Sequence, residues 1–210
     1  MPPNSKRPRR FSMIRSFVLA DLITLGNAAS GTLAIFLCLS YLDTHDRTYV
    51  WITLALLPIA LVCDFLDGTV ARWRRKQSPL GADLDSLADV VSFGVAPAVL
   101  GFTLGLRGAW DTVALVYFVC CGISRLARYN VTASSLSDDS GKVKYYQGTP
   151  IPTSLALVLL LGILFSMGRV HDQLWLGELR LGPGTLHPLS LFYVLSGSAM
   201  ISATLRIPKP

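Results

Sequence analysis

The sequence predicts an all-α integral membrane protein with six transmembrane helices, preceded by a short N-terminal interfacial helix. Three observations support this fold class: an apolar composition, six apolar segments of spanning length, and an uneven distribution of lysine and arginine. Of the 210 residues, 51% are hydrophobic and 15% are charged, and the mean hydropathy is +0.49. These values are typical of integral membrane proteins and argue against a soluble domain.

Six segments are long and apolar enough to cross a bilayer, since a spanning helix needs about 20 predominantly apolar residues. Several of them are short or carry polar residues. The segments run approximately over Leu22–Leu42, Val50–Leu66, Leu84–Leu106, Trp110–Leu126, Ile151–Met167 and Pro188–Leu205.

Lysine and arginine fall mostly on one side of these segments. With six spans, both termini share one side with the loops that follow spans two and four. That side carries 15 of the 19 lysines and arginines and is therefore predicted to be cytosolic. These 15 are Lys6, Arg7, Arg9, Arg10, Arg15, Arg72, Arg74, Arg75, Lys76, Arg125, Arg128, Lys142, Lys144, Arg206 and Lys209, against Arg47, Arg107, Arg169 and Arg180 on the other side.

Two regions follow from this pattern. Residues 1–20 are interpreted as a basic cytosolic tail and an amphipathic stretch, Phe11–Leu19, that can lie in the membrane interface. Residues 21–210 are interpreted as one six-helix membrane domain. The basic run Lys6–Arg10 is explained as a topology determinant and a contact for anionic lipid, and no nucleic-acid partner is expected.

The cysteines and histidines form no recognisable metal or catalytic pattern. The cysteines at positions 38, 63, 120 and 121 lie inside apolar spans without CxxC spacing, and we expect them to pack as small hydrophobic residues. The histidines at positions 45, 171 and 187 lie in or near loops on the predicted non-cytosolic side, without an HExxH motif. No functional role is predicted for them.

Two pairs of aspartates lie at the margins of apolar spans. Asp64 and Asp67 are three residues apart and Asp85 and Asp89 are four apart, so each pair shares one helix face. Carboxylates at membrane depth are costly unless a cation or a function compensates. If the two helices face each other, the four side chains form an oxygen ligand set for Mg²⁺ or Mn²⁺. The alternative is a helix hairpin in which the aspartates merely pair with arginines.

Small and basic residues accompany the aspartates. Gly68 and Gly81 lack side chains that would block a ligand from the backbone, and Ala71 is small on the face one turn after Asp67. Arg72 begins a basic loop at the predicted cytosolic surface. Carboxylates for a metal, glycines for access and arginines nearby are what a metal-bound pyrophosphate requires.

The spacing of these residues resembles the signature of the CDP-alcohol phosphatidyltransferase family. The matching positions are Asp64, Asp67, Gly68, Ala71, Arg72, Gly81, Asp85 and Asp89. The resemblance implies a six-helix membrane fold, a divalent metal and transfer of a phosphatidyl group from a CDP-linked lipid to an alcohol, with release of CMP. It implies that the four aspartates are metal ligands and that Asp89 is also the base, while Gly68, Arg72 and Ser78 contact the nucleotide and its phosphates.

Polar residues at the start of span one resemble those that line the nucleotide pocket of the family. They are Asp21, Thr24 and Asn27. Because Asn27 would be costly against lipid, either a polar pocket or a helix–helix hydrogen bond is expected there. Ser86 and Ser92 could extend such a pocket or simply allow close packing.

Further stretches resemble the yeast-type members of the family that use serine. The expected donor is therefore CDP-diacylglycerol, and the expected acceptor is L-serine. These stretches are residues 20–27, 84–97, 124–130, 145–153 and 205–210. Arg125 and Arg128 share a helix face at the cytosolic end of span four, where guanidinium groups can clamp a carboxylate, although they could also serve as topology anchors. The resemblance also implies a homodimer in the endoplasmic reticulum.

The expected reaction is a direct attack of the alcohol on the CDP-linked lipid. A primary alcohol is a poor nucleophile at neutral pH, so a carboxylate must take its proton as the new bond forms. The chain lacks a His-x-Lys-x4-Asp pattern, which favours direct attack over a phosphohistidine intermediate. Inositol or glycerol 3-phosphate as acceptor remains an alternative within the family, and a small cation transporter is a remote alternative outside it.

Overall fold

The computed structural model of the chain describes residues 18–74, 80–135, 145–202 and 206–208. In these residues the chain is mainly helical. The helices are α1 (Leu19–Thr44), α2 (Arg47–Arg74), α3 (Gly81–Asp89), α4 (Ala96–Thr103), α5 (Ala109–Ser135), α6 (Leu155–Ser166) and α7 (Leu191–Ile201). A π-helical segment, Val90–Val95, joins α3 to α4, and short 3₁₀ turns precede α6 and α7 at Ile151–Ser154 and Pro188–Ser190.

Within the described ranges, four helical stretches are long and apolar enough to cross a membrane: Leu19–Thr44, Arg47–Trp73, Gly81–Thr103 and Ala109–Val131. Two shorter apolar helices cover Ile151–Ser166 and Pro188–Ile201. Each of the six predicted segments thus corresponds to an apolar helix, and the chain has the helical composition of a membrane protein. The predicted interfacial stretch Phe11–Leu19 lies outside the described residues, apart from its last two positions, and α1 begins at Leu19.

Helix α1 packs against α2, α3, the π-helical segment and α4. It approaches the π-helical segment closely, because a Cβ atom on Gly31 would collide with the backbone of Ser92. On the other side of α4, the Phe118 and Tyr193 rings meet edge to face at 5.2 Å, and the Tyr193 hydroxyl donates to the Pro97 carbonyl at 2.7 Å. This packing fixes α3 and α4 between α1 and the α5–α7 pair.

The π-helical segment interrupts what the sequence predicts as one regular span, Leu84–Leu106. In a regular α-helix the ring of Pro97 would meet the carbonyl of Phe93, and Pro97 has no N–H to donate. The wider turn accommodates this residue, and the Ala96 N–H bonds to the Val91 carbonyl, five residues back. The helix therefore continues through the proline, with a change of phase just after Asp89.

Four short strands depart from the all-α prediction. Tyr145–Gln147 (β1) pairs antiparallel with Arg206–Pro208 (β4), and Leu179–Leu181 (β2) pairs with Gly184–Leu186 (β3). Each strand has three residues, too few for an alternating pattern to stand out in the sequence. Gly182 connects β2 to β3 with a φ of 60°, a conformation that glycine adopts at low cost.

Candidate active site

Three of the predicted metal ligands converge between α2 and α3. Asp64, Asp67 and Asp85 each present one carboxylate oxygen, and these oxygens lie within 4.8 Å of one another. Asp67 is buried, and the other two are half-buried. Carboxylates this close repel one another in a medium of low dielectric constant, so the arrangement favours a bound cation.

The residues present fit a hard divalent cation. Asp85 Oδ1 is buried, and within the described part of the chain it has no hydrogen-bond partner. A buried polar atom of this kind normally has one, so its place beside two other carboxylates indicates a ligand. Oxygen donors suit Mg²⁺ and Mn²⁺ in particular. The geometry supports a divalent metal.

Asp89 lies one turn beyond Asp85 and next to the three-carboxylate group, but it is not one of its members. Its side chain is 7% exposed. The side-chain amide of Asn27, on α1, donates to Asp89 Oδ1 at 3.2 Å. Asp89 thus borders the three-carboxylate group and has a hydrogen-bond partner on α1.

The polar residues of α1 face the aspartates. The Thr24 hydroxyl donates to Asp67 Oδ2 at 2.5 Å, and the Ser92 hydroxyl donates to the Asn27 carbonyl at 2.9 Å. Asn27 therefore makes the helix–helix hydrogen bond that the sequence left as one of two alternatives. Its Oδ1 is nevertheless buried and unpartnered among the described residues, so the same side chain still offers an acceptor to a ligand.

Asp21, placed by sequence with the nucleotide-pocket residues, has a local role in this structure. Its carboxylate accepts a hydrogen bond from the Val18 N–H at 2.8 Å, and it is 3% exposed. An acidic side chain in the first turn of a helix satisfies a backbone donor that has no partner within the helix. This contact gives Asp21 a structural role at the start of α1.

The small and basic residues of the signature border the aspartates. Gly68 is exposed, and a Cβ atom there would meet nothing within 4 Å among the residues that the structure describes. Ala71 is half-buried, and Gly81 begins α3. Arg72 is exposed, and its Nε donates to the Gly68 carbonyl at 3.1 Å in its own helix. Ser78 lies outside the described residues.

The two arginines assigned to the acceptor lie near the far end of α5. Arg125 is half-buried with its guanidinium 5.9 Å from the centre of the Tyr129 ring, and Arg128 is exposed. The Asn130 side-chain amide donates to the Ser86 hydroxyl at 3.0 Å, which ties this end of α5 to the helix that carries Asp85. Ser86 therefore makes an interhelical contact here.

Sequence reasoning missed the roles of Asn130 and of the π-helical segment. Asn130 is 44 residues from Ser86, and no local pattern links the two positions. The signal for the π-helical segment was Pro97 inside an apolar span, since a proline within a helix forces a kink or a wider turn. Segments of this kind are often found at functional sites.

Fold and site together define a helical membrane protein with a cluster of carboxylates suited to a divalent metal ion. The profile of the CDP-alcohol phosphatidyltransferase family matches residues 17–195, and the chain belongs to this family. The chain is 42% identical to the CDP-diacylglycerol–serine O-phosphatidyltransferase of Saccharomyces cerevisiae, over 100% of this chain and 79% of the yeast protein.

Archaeal relatives match over shorter regions. The chain is 33% identical to the CDP-diacylglycerol–serine O-phosphatidyltransferase of Methanocaldococcus jannaschii, over 71% of this chain and 62% of that protein. It is 35% identical to the archaetidylserine synthase of Methanothermobacter thermautotrophicus, over 69% of this chain and 58% of that protein.

Proposed function

We propose that this protein transfers the phosphatidyl group of CDP-diacylglycerol to the hydroxyl of L-serine, giving phosphatidylserine and CMP. The observation that carries the acceptor is the 42% identity with the yeast enzyme over the whole chain. The observation that supports the chemistry is the convergence of Asp64, Asp67 and Asp85 on one point.

The proposed metal ligands are these three aspartates together with Asp89. A divalent cation in this position neutralises negative charge on the pyrophosphate of the donor. Either Mg²⁺ or Mn²⁺ is chemically suited to the oxygen ligands. The unpartnered Asp85 Oδ1 supports this assignment.

Asp89 is the proposed base. It accepts the proton of the serine hydroxyl while the serine oxygen forms a bond to the phosphorus that carries diacylglycerol. The bond from that phosphorus to the CMP oxygen breaks, and CMP leaves with the electron pair. The hydrogen bond from Asn27 leaves the second oxygen of Asp89 available for this proton transfer.

The proposed pocket for the CDP-lipid lies between α1 and the end of α2. Its described residues are Asp21, Thr24, Asn27, Gly68, Ala71, Arg72 and Gly81, and Ser78 is assigned to the CDP-lipid from the family signature alone. The open space at Gly68 and the free acceptor on Asn27 support this placement. Arg125 and Arg128 are proposed to bind the serine carboxylate, since guanidinium groups bind carboxylates through paired hydrogen bonds.

The proposed setting is the membrane of the endoplasmic reticulum, with six spans, both termini in the cytosol and the active site open to the cytosol. The distribution of lysine and arginine supports this topology. We further propose a homodimer surrounded by membrane lipid, on the basis of the family resemblance. Cross-linking in native membranes tests the dimer independently of the activity.

An acceptor panel tests the proposed reaction. Membranes that contain the protein and one CDP-diacylglycerol are given serine, inositol or glycerol 3-phosphate with Mn²⁺ or Mg²⁺. We expect phosphatidylserine from serine, and no product once a chelator is added. Product from inositol or glycerol 3-phosphate instead would establish the alternative acceptor, and metal flux without any lipid product would establish the transporter.

Arg128→Ala tests the serine site within the same assay. We expect a higher KM for serine and an unchanged KM for CDP-diacylglycerol. Normal use of serine by this variant would contradict the assignment of Arg128 while leaving the reaction itself intact.

A further inference from the structure

Tryptophans mark two levels along the helix bundle. Trp51 lies near the start of α2 and Trp73 near its end, 22 residues apart, which is about 33 Å along an α-helix. That length is close to the roughly 30 Å of a bilayer's hydrocarbon core, and tryptophan is enriched at both membrane interfaces. The aspartate site lies toward the Trp73 level.

Trp110 and Trp175 lie at the Trp51 end. Trp110 is in the first turn of α5, and Trp175 is in the loop between α6 and α7. His171 in that loop links these elements, because its ring contacts Tyr41 near the end of α1 at 2.9 Å and its N–H donates to the Leu104 carbonyl just before α5. Three of the four tryptophans therefore share one end of the bundle.

The β2–β3 hairpin is fixed to the start of α5 at the same end. The Trp110 indole N–H donates to the Leu181 carbonyl at 2.9 Å, and Gly108 leaves room for Thr185. His187, directly after β3, donates its N–H to Asp111 at 2.8 Å. The hairpin is thus held against a membrane-spanning helix rather than extending freely from the bundle.

The hairpin and the residues around it carry an exposed apolar surface. Its members, which we call the hairpin surface, are Trp110, Trp175, Leu176, Leu179 and Leu181, and each is between 42 and 51% exposed. Four of the five lie outside the helices, where side chains in water are usually polar.

The two strands can enter an interface because their ladder pairs backbone groups that would be costly to leave unpaired in lipid. Since side chains alternate along a strand, Leu179 and Leu181 point to one face of β2 and Arg180 to the other.

We propose that the hairpin surface inserts into the headgroup–acyl boundary of the leaflet opposite the aspartate site, and that the hairpin is a membrane-interface anchor. The occupant is phospholipid rather than a second copy of the chain. The surface continues directly from the spanning helix α5, and it lies at the end of the bundle that Trp51 marks on α2. The charged Arg180 lies on the opposite face of the same strand. The anchor does not depend on the reaction proposed above.

Spin labels on adjacent residues of β2 test the anchor. Cysteine is introduced separately as Leu179→Cys, Leu181→Cys and, as the matched control, Arg180→Cys. The background is Cys63→Ala with Cys120→Ala, since the two remaining cysteines are buried. The full-length protein is placed in phosphatidylcholine liposomes, and collision rates are measured with oxygen, which concentrates in lipid, and with a water-soluble nickel chelate.

We expect the ratio of oxygen to nickel collisions to be severalfold higher at positions 179 and 181 than at position 180. Equal ratios, all typical of water, would overturn the proposal. Spin–spin broadening at 179 and 181 that disappears on dilution with unlabelled protein would also overturn it, because it would assign the surface to a second copy. Monodisperse elution of each labelled protein checks the fold, and the two leucine positions serve as independent tests.

Discussion

The aspartates at the two ends of the bundle differ in their hydrogen-bond partners. At one end, Asp85 has a buried oxygen without a hydrogen-bond partner among the described residues, close to two other carboxylates. At the other end, Asp111 is fully buried, and its oxygens accept from the Gly108 N–H at 2.9 Å, the His187 N–H at 2.8 Å and His187 Nδ1 at 2.5 Å.

The difference separates a ligand site from a structural anchor. A buried carboxylate is expensive unless hydrogen bonds or charges compensate for lost hydration. Asp111 receives that compensation from the chain itself, and it ties the loop before α7 to the start of α5. The Asp64, Asp67 and Asp85 group leaves part of the compensation to a cation. The hydrogen-bond partners of the carboxylates distinguish the two regions.

The largest effect is expected at the proposed base. Asp89→Asn should lower kcat by about 10²–10⁴-fold, the usual contribution of general acid–base catalysis, because an amide cannot take the serine proton. The matched control is Asp83→Asn, an exposed aspartate of the same helix that lies outside the carboxylate group. Steady-state turnover of both purified variants gives the comparison, and substantial turnover in Asp89→Asn would exclude the proposed role.

Metal binding should distinguish the aspartates at the two ends of the bundle. Mn²⁺ at about 100 times its Kd should stabilise the parent protein by about 2.7 kcal/mol, since it binds the folded state. Thermal unfolding with and without Mn²⁺ measures this shift without any substrate. Asp85→Asn should lose most of it, and Asp111→Asn should keep it. An equal shift in all three proteins would mean that the metal binds elsewhere.

Substitutions at Asp111 and His187 should lower the stability of the protein and leave its turnover unchanged. Asp111→Asn replaces one acceptor oxygen with an amide nitrogen. At least one buried donor then loses its hydrogen-bond partner, which costs about 1–3 kcal/mol. We expect a lower unfolding temperature and normal turnover per folded molecule. His187→Ala should show smaller additional loss in the Asp111→Asn background than alone, because the two side chains share one interaction. Additive losses would show that the contact contributes little.

The smallest effect is expected at Asn27, which acts through Asp89. Outer partners of this kind typically contribute 10–100-fold, and the 3.2 Å hydrogen bond suggests the lower limit, about tenfold. Asn27→Ala should lower kcat more than it changes the KM for serine. If the KM for CDP-diacylglycerol rises and kcat is unchanged, Asn27 serves the CDP-lipid pocket alone and does not position the base. Ser30→Ala, one turn further along α1, is the control.

The grouping of Asp64, Asp67 and Asp85 could be predicted from sequence because its geometry is local. Spacings of three and four residues put Asp64 with Asp67, and Asp85 with Asp89, on common faces, and only the approach of two helices had to be assumed. The family and the six apolar helices followed in the same way from residues that are near one another along the chain.

The remaining contacts depend on residues that are far apart in sequence. Asn27 and Asp89 are 62 residues apart, and Asp111 and His187 are 76 apart. No periodicity connects such pairs, so no role was predicted for His187, and two alternatives were predicted for Asn27. The short strands were missed for a similar reason, because their pairing and not their composition defines them.

The π-helical segment Val90–Val95 also determines how much length variation this helix can tolerate. A π turn corresponds to one residue inserted into an α-helix, and each residue rotates the helix by about 100°. Deleting one residue here would leave a membrane helix of almost the same length and hydropathy. It would, however, rotate Asp85 and Asp89 by more than a quarter turn relative to Pro97 and the core beyond it. A deletion of one residue in this segment would therefore displace the aspartates from the site, while the helix could still insert into the membrane.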